Sequence, residues 1–568
     1  MLVTTQRLTA KTIRKHLSRS AARQYASSSN VEHSDVVIVG GGPAGLALAG
    51  ALGSSKVVQE SMRVTLIEAG DLSKTKAWQL PPDAFSNRVS SITNASQQFL
   101  RNIGAWSYVD ETRTGPVEEM QVWDGVSGAR ITFSAAEMSL GGQTVSELSR
   151  LTENLNLQRA LLRKLEESSS VEVVDKVKVE SITTDDREGS PWPLLHLSDG
   201  RVIRARLLVG ADGFNSPVRT YAGIQSYGWA YDTHGIVATL FHAPRSPFMT
   251  PNTVAYQRFL PTGPIAFLPI SETASTMVWS TKPHLANALK AVQPSVLVDM
   301  VNAAFRLPEV SMRYLHDRLI EAHNGGTPIT SEQLREEILF REHSHSIDTH
   351  SALSSLSAAA EAGIPPEGSE SYPPLVKSIQ PGTVASFPLR FSHADSYVGE
   401  GKGSRTVLIG DAAHTVHPLA GQGLNLGLAD AEALAKCIHD SASRGGDIGS
   451  YTSLMPYSRA RYFENHKMMS AVDKLHKLYS TTAMPIVWAR SVGLEVANEL
   501  DTLKAALMVS AGSHRLDRTP GSIGVGLAAS TLENVAKSIS DAQVVGQVAS
   551  GVVQSGLQQL FRTLSSRR

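Results

Sequence analysis

The chain has 568 residues, with 53 Lys plus Arg against 53 Asp plus Glu, 42% hydrophobic and 19% charged. That length holds two or three domains around a sizeable core, and the even charge balance argues against nucleic acid as a partner. Cys437 is the only cysteine, which excludes intramolecular disulfides, CxxC pairs and cysteine-ligated iron–sulfur clusters, and no apolar run approaches the roughly 18 residues of a membrane span.

Residues 1–30 differ from the rest. Arg7, Lys11, Arg14, Lys15, Arg19 and Arg23 all precede the first acidic residue, Glu32, and hydroxyl residues are frequent. Leu8, Ile13 and Leu17 recur near helical spacing without forming an apolar block. This is the bias of a mitochondrial transit peptide rather than of a secretory signal. Arg23-Gln24-Tyr25 followed by Ala26-Ser27 reads as its cleavage context.

A buried-strand pattern over Asp35–Val39 runs into Gly40-Gly41-Gly42-Pro43-Ala44-Gly45 and a helical run to Leu52. This is G-x-G-x-x-G in its strand–turn–helix setting. Gly40 permits the tight turn, Gly42 admits a pyrophosphate, and Gly45 lets helix and strand pack closely. A second strand, Val64–Ile67, ends in Glu68, 23 residues beyond Gly45. An acid there accepts from a ribose hydroxyl and repels a 2′-phosphate. Arg88 precedes a helix expected from Asn94.

Leu207–Val209 leads into Gly210-Ala211-Asp212-Gly213, with Ser216 as an N-cap for a helix carrying Arg219. Thr253–Leu260, Gly263–Ile270 and Ser275–Thr281 are closely spaced strands joined by polar turns, the pattern of an antiparallel meander. Residues 341–374 are rich in Ser, Ala, Pro and His without periodicity, and read as an inserted loop. His343, His345 and His350 lie there without the carboxylate or cysteine set of a metal site. Ser146, His393 and Asp395 have no spacing that favours a catalytic triad.

The strand Thr406–Ile409 ends in Gly410-Asp411, placing a carboxylate at the carboxyl edge of a sheet. His414-Thr415-Val416-His417-Pro418-Leu419-Ala420-Gly421-Gln422-Gly423 then enters a helix through Leu424 and Asn425. The free N–H groups of such a helix start favour negative charge. A flavin needs both features: a carboxylate for its ribityl hydroxyls, and a positive helix end beside a ring that turns anionic on reduction. Beyond Leu503–Met508, residues 526–564 carry apolar positions at the spacing of an amphipathic helical tail. It suits its own domain, a partner or a membrane surface equally.

The three glycine-rich strand ends together resemble the triple signature of the single-component, para-hydroxybenzoate-hydroxylase-like flavin monooxygenases, over about Asp35 to Gly512. Within them, Asn87–Ile92, Tyr256–Leu260, Gly263–Pro269 and His414–Gly427 are most similar to the ubiquinone-biosynthesis ring hydroxylases. The resemblance implies an α/β chain (α+β overall): a Rossmann-like FAD-binding domain, an antiparallel β-sheet substrate domain and a C-terminal helical region. The expected layout is transit peptide 1–30, FAD-binding parts 31–225 (with a substrate-domain excursion near 116–149) and 381–460, substrate domain 226–380, and helical region with tail 461–568.

FAD would be held by Gly40, Gly42, Ala44, Gly45, Glu68, Arg88, Asp212, Gly213, Gly410, Asp411, Gly423, Leu424 and Asn425. Arg88 would reach its phosphates. Pro418, Gly421, Gln422 and Gly423 would frame the ring, with His417 lending polarity; no side-chain triad and no metal is expected. Arg258, within a predicted strand of the substrate sheet, is a weaker candidate than Arg88, with a purely structural role as the alternative. The implied reaction inserts one atom of O2 at C5 of a polyprenylated 4-hydroxybenzoate derivative through a flavin hydroperoxide. The apolar faces of the 253–281 strands would line a tunnel for the tail. Ferredoxin and ferredoxin reductase are the implied electron source, because no second dinucleotide fingerprint appears. The implied setting is a complex with other ubiquinone-biosynthesis proteins, peripheral on the matrix face of the inner membrane. The alternatives are an NAD(P)H-dependent hydroxylase of another phenol, or a flavin-binding scaffold subunit.

Overall fold

The computed structural model describes residues 31–137, 139–140, 143–185, 191–245, 251–344 and 371–499. The expected transit peptide, Leu503–Met508 and the tail at 526–564 lie outside these residues.

Val31–Val39 is a strand of nine residues, longer than its apolar part, because its polar start also pairs: Val31 lies opposite Val202 and Val39 opposite Gly210. It is central to a seven-stranded sheet. The parallel part runs Val171–Val174, Val64–Ile67, Val31–Val39, Val202–Gly210, Thr406–Leu408; the antiparallel strands Trp192–Leu197 and Val179–Asp185 extend it. Continuous apolar strands suit a sheet covered on both faces. Val36, Val37 and Ile38 are accordingly buried, packed with helices Pro43–Gly53, Asn154–Leu165 and Gly423–Ser443.

The second sheet has nine strands and holds the expected meander as Val254–Leu260, Gly263–Pro269 and Ala274–Thr281. Glu119–Asp124 and Arg130–Ser134 leave the first part of the chain to join its edge. One face is not a tunnel wall. Tyr256, Ile265, Phe267, Met277 and Trp279 pack beneath helices Pro283–Ala291, Pro294–Arg306, Glu309–Asn324 and Ser331–Ser344. The other face carries Phe259, which stacks on Tyr479 with ring centroids 4.0 Å apart and shares a cluster with Leu419. The expected loop at 341–374 needs correction at its start. Residues 341–344 complete the Ser331–Ser344 helix, where Arg341 pairs with Glu337 one turn earlier, and Val376–Ile379 returns the chain to the sheet. Helices Tyr451–Tyr479 and Met484–Glu499 close the described chain.

Candidate functional site

Three strand ends stand in one row. Val39 lies opposite Gly210, and Gly210 opposite Leu408, so the segments that follow all emerge at the same carboxyl edge. Parallel pairing is therefore what gathers motifs more than 350 residues apart in the sequence.

The glycines divide by what surrounds them. Gly40 has φ +114°, and a Cβ there would lie 2.2 Å from the carbonyl oxygen of Ala211; one on Gly45 would lie 2.0 Å from that of Gly40. Both positions are closed by backbone. A Cβ on Gly42 would meet nothing within 4 Å. Gly42 thus faces open space at the N-terminus of helix Pro43–Gly53, where a pyrophosphate fits the helix N–H groups. Ala44 packs against Gly410 and Gly427, which draws the first turns of helices Pro43–Gly53 and Gly423–Ser443 together. Two positive helix ends converge on one cleft.

Glu68 sits at the next strand end, and its two carboxylate oxygens accept from the N–H groups of Gly41 and Gly70, each at 2.6 Å. A carboxylate has capacity for further donors, so a ribose hydroxyl can still bind. Asp212 accepts from the N–H of Val218 with Oδ2, while its Oδ1 is buried without a partner. Burial pushes its carboxyl upward, against hydrogen bonds from Ser216 and Val218. Ser216 caps the following helix through the N–H of Arg219 at 2.9 Å. Arg219 donates to the carbonyls of Phe214 and Ala412, each at 2.6 Å, and so bolts the Asp212-Gly213 corner to the Gly410-Asp411 corner. Gly213 has φ +84°.

Asp411 opens to solvent, yet protein surrounds it on most sides; desolvation pushes its carboxyl up, opposed by the charge of His414. A carboxylate in a concave wall fits the hydroxyls of a ribityl chain. Arg88 is exposed, and its guanidinium has no partner among the described residues. Its carbonyl, bonded by the N–H of Asn154, fixes it at the start of the strand Val89–Thr93.

The ring loop is short and held. Pro418–Ala420 forms one 3-10 turn, and Gly421 follows at φ +60° with its N–H on the carbonyl of Pro418. Gln422 caps helix Gly423–Ser443 without a side-chain bond. The N–H groups of Gly423, Leu424 and Asn425 have no earlier turn to bond to, since Leu426 is the first to reach back, to Gln422. The carboxamide of Asn425 donates to the carbonyl of Ser91 and accepts from the N–H of Thr93, which leaves its backbone N–H for a ligand. Leu424 likewise packs its side chain on the core. His417 is buried and accepts from Leu419 N–H through Nδ1; burial, with the charge of His476, pushes its pKa down to about 3.

One cluster had no signal strong enough to single it out in the sequence. Asp430 is fully buried and accepts from His414 (2.6 Å), Arg461 (2.8 Å), Asn465 (3.0 Å) and the N–H of Gly410 (3.1 Å). Burial alone would raise its pKa, but the charges of His414 and Arg461 hold it down at about 2. The only clue was an acid on the apolar face of Leu424–Leu434. Arg258 is buried, donating to the carbonyls of Ala304 and Gly125, a structural role. His393 is hydrogen-bonded to Tyr227 at Nδ1 and to Tyr397 at Nε2, so it forms no triad with Ser146. Among the described residues no group of three or more His, Cys, Asp or Glu could hold a metal ion.

The residues therefore fit a dinucleotide: an open Gly42, an orphaned Asp212 oxygen, a carboxylate in a concave wall and two helix starts. The family model "FAD binding domain" matches residues 33–323 and 380–448. The chain is 38% identical over 502 residues to "Ubiquinone biosynthesis monooxygenase COQ6, mitochondrial" of Xenopus tropicalis, covering 87% of this chain and 96% of that one. The Saccharomyces cerevisiae and Homo sapiens proteins of the same name are each 36% identical, over 86% of this chain and 96% and 94% of theirs. In fold it is similar to p-nitrophenol 4-monooxygenase PnpA of Pseudomonas putida (TM-score 0.55, 17% identity, 86% and 100% covered). It is also similar to the probable FAD-dependent monooxygenase pqsL of Pseudomonas aeruginosa (TM-score 0.53, 21% identity, 82% and 100% covered). The chain belongs to the COQ6 family of FAD-dependent ubiquinone biosynthesis monooxygenases.

Proposed function

We propose that this enzyme hydroxylates C5 of a polyprenylated 4-hydroxybenzoate-derived ring, with FAD held along the row Val39–Gly210–Leu408. That shared carboxyl edge is the observation that carries the reading. When bound, FAD supplies the redox and oxygen chemistry; the protein supplies binding, orientation and electrostatics. Glu68 holds the ribose, Gly42 and the exposed Arg88 the phosphates, and Asp212 and Asp411 the polar chain between phosphate and ring. Pro418 lies against the ring. Gly421 gives the turn that aims the N–H groups of Gly423, Leu424 and Asn425 at its edge, where they stabilise negative charge. Gln422 stands at the helix cap beside it. The neutral His417 keeps a polar group near the ring without placing a cation there.

Electrons come from ferredoxin and its reductase. A single dinucleotide fingerprint supports this, with Glu68 unfavourable to a 2′-phosphate and Cys437 alone unable to ligate a cluster. The address is the mitochondrion, on the matrix face of the inner membrane and among other ubiquinone-biosynthesis proteins; the basic, acid-free residues 1–30 support the first part. Purified protein loaded with FAD, ferredoxin, ferredoxin reductase and a prenylated 4-hydroxybenzoate should give a product heavier by one oxygen. Equal turnover with NADPH alone would replace the ferredoxin reading, and failure with both donors would overturn the hydroxylase assignment.

A further inference from the structure

A buried amide without a partner stands in the middle of the substrate sheet. Gln257 is 4% exposed in strand Val254–Leu260, and its carboxamide has no hydrogen-bond partner among the described residues. Neither amide atom is sealed in protein, so the group reaches open space. Buried carboxamides are ordinarily bonded, and one left unpaired beside a hollow marks a place that a ligand completes.

Alternation along the strand fixes the direction of this side chain. Tyr256 packs beneath the helices, and Arg258 donates to the carbonyl of Ala304 in helix Pro294–Arg306, so Gln257 points to the opposite face. Its strand neighbours on that face are Ala255, which shares a cluster with Val89, and Phe259, which shares one with Leu419 of the ring loop. Gln257 therefore lies between two walls, the strand Val89–Thr93 and the ring loop, which meet where Gly421 faces Ser91.

That face is hollow. Val278, Ala266, Gln257 and Val122 pair in one row across four strands. Ala266, Leu268 and Val278 belong to central strands of the sheet and yet are only half-buried, because the described chain leaves them partly uncovered on the ring-loop side. Gln257 is the one hydrogen-bonding side chain in the row, and the row contains no cation. An aromatic carboxylate would call for a cation. A hydroxyl needs only an acceptor or a donor, and a carboxamide offers both.

We propose that Gln257 receives the ring hydroxyl of the phenol, a reading that rests on the hydroxylase assignment above. The apolar row takes the face of the ring, and Oε1 accepts from the hydroxyl. An acceptor on that proton keeps the ring electron-rich at the adjacent carbon, the one to be oxygenated. Holding the hydroxyl also orients that carbon, the positioning on which a bimolecular step depends. Gln257 is thus a specificity-determining residue: a site built to bond a hydroxyl rejects the analogue that lacks it.

The test uses full-length, FAD-loaded protein and two soluble ligands, geranylated 4-hydroxybenzoate and the same compound without its 4-hydroxyl. Binding is read from the change in flavin absorbance, without turnover. Wild type should prefer the phenol by about tenfold or more. In Gln257→Leu, of similar size, that preference should shrink to about twofold, with FAD content, melting temperature and affinity for the deoxy compound unchanged. Gln257→Glu, which keeps an acceptor at the same reach, should retain most of the preference. A wild-type preference that persists in Gln257→Leu would overturn the assignment. So would a Gln257→Glu protein that holds FAD but discriminates as poorly as Gln257→Leu. Wild type that forms the hydroxylated product without preferring the phenol would overturn this role and leave the hydroxylase reading standing; wild type that binds neither compound would remove both.

Discussion

Asp430 and His414 share a 2.6 Å hydrogen bond between two buried side chains, and the same carboxylate holds the N–H of Gly410. The corner Gly410-Asp411, proposed to face the cofactor, is thus anchored from behind by a buried charge. Removing one partner of a buried, hydrogen-bonded charge leaves the others uncompensated, at about 3–5 kcal/mol. Asp430→Ala should lose that much unfolding free energy in urea titrations. Asp430→Asn, which can keep only part of the acceptor set, should lose less but release FAD faster than wild type. A variant with unchanged stability and FAD retention would show that the anchor is idle.

Gly42 and Gly45 of the fingerprint should separate folding from binding. Gly42→Ala places its methyl in open space, so the apoprotein should stay within about 1 kcal/mol of wild type while FAD affinity collapses. Gly45→Ala drives a methyl into backbone at 2.0 Å and should destabilise the apoprotein as well. Thermal melts without FAD, set beside FAD fluorescence titrations, give both numbers. Tight binding by Gly42→Ala would move the pyrophosphate elsewhere.

Glu68→Ala should weaken FAD binding by about 1.5–3 kcal/mol, the range of a charge-assisted hydrogen bond. Some of that loss belongs to the strand-end loop, because the N–H groups of Gly41 and Gly70 lose their acceptor too. Circular dichroism of the apoprotein should remain native. Purified Glu68→Ala carrying a full, tightly held cofactor would remove the ribose role.

Stability should fall in mild acid through buried histidines. Burial lowers His316 and His393 to about 4 and, with the charge of His476, His417 to about 3, from 6.5. Each is then neutral when folded but takes up a proton when unfolded below pH 6.5. Its contribution is complete above pH 6.5 and declines as pH drops toward 4–3, at up to about 1.4 kcal/mol per unit for each histidine. Asp430 acts lower still: held at about 2 against 3.8, it loses its contribution only between those values. Denaturant titrations from pH 7 to 4 should therefore slope downward, and His417→Gln should flatten the slope by about one proton. An unaltered slope would mean that this imidazole is not buried neutral.

Much of the fold was legible because its signals are local. Apolar runs ending in glycine announced Val31–Val39, Val202–Gly210 and Thr406–Leu408, and polar turns announced the meander. The row formed by Val39, Gly210 and Leu408 was not local, yet the shared chemistry of the strand ends gave it away. What stayed hidden depends on side-chain partners. Asp430 looks like any acid in a helix until His414, Arg461 and Asn465 surround it. Asn425 keeps a free backbone N–H at the helix start, but nothing in the sequence shows that Ser91 and Thr93 claim its carboxamide. The residues at 341–344 lack periodicity but gain a helix from the turn before them.

The central claim, that this site places one oxygen atom from O2 on a prenylated phenol, is tested most directly with 18O2. FAD-loaded enzyme with its protein electron donors and a prenylated 4-hydroxybenzoate should yield a product containing one 18O atom, at the ring carbon ortho to the hydroxyl. Asp411→Ala, which removes a carboxylate proposed to hold the cofactor, should lose that product together with FAD. Label absent from the product, or drawn instead from H218O, would contradict the account.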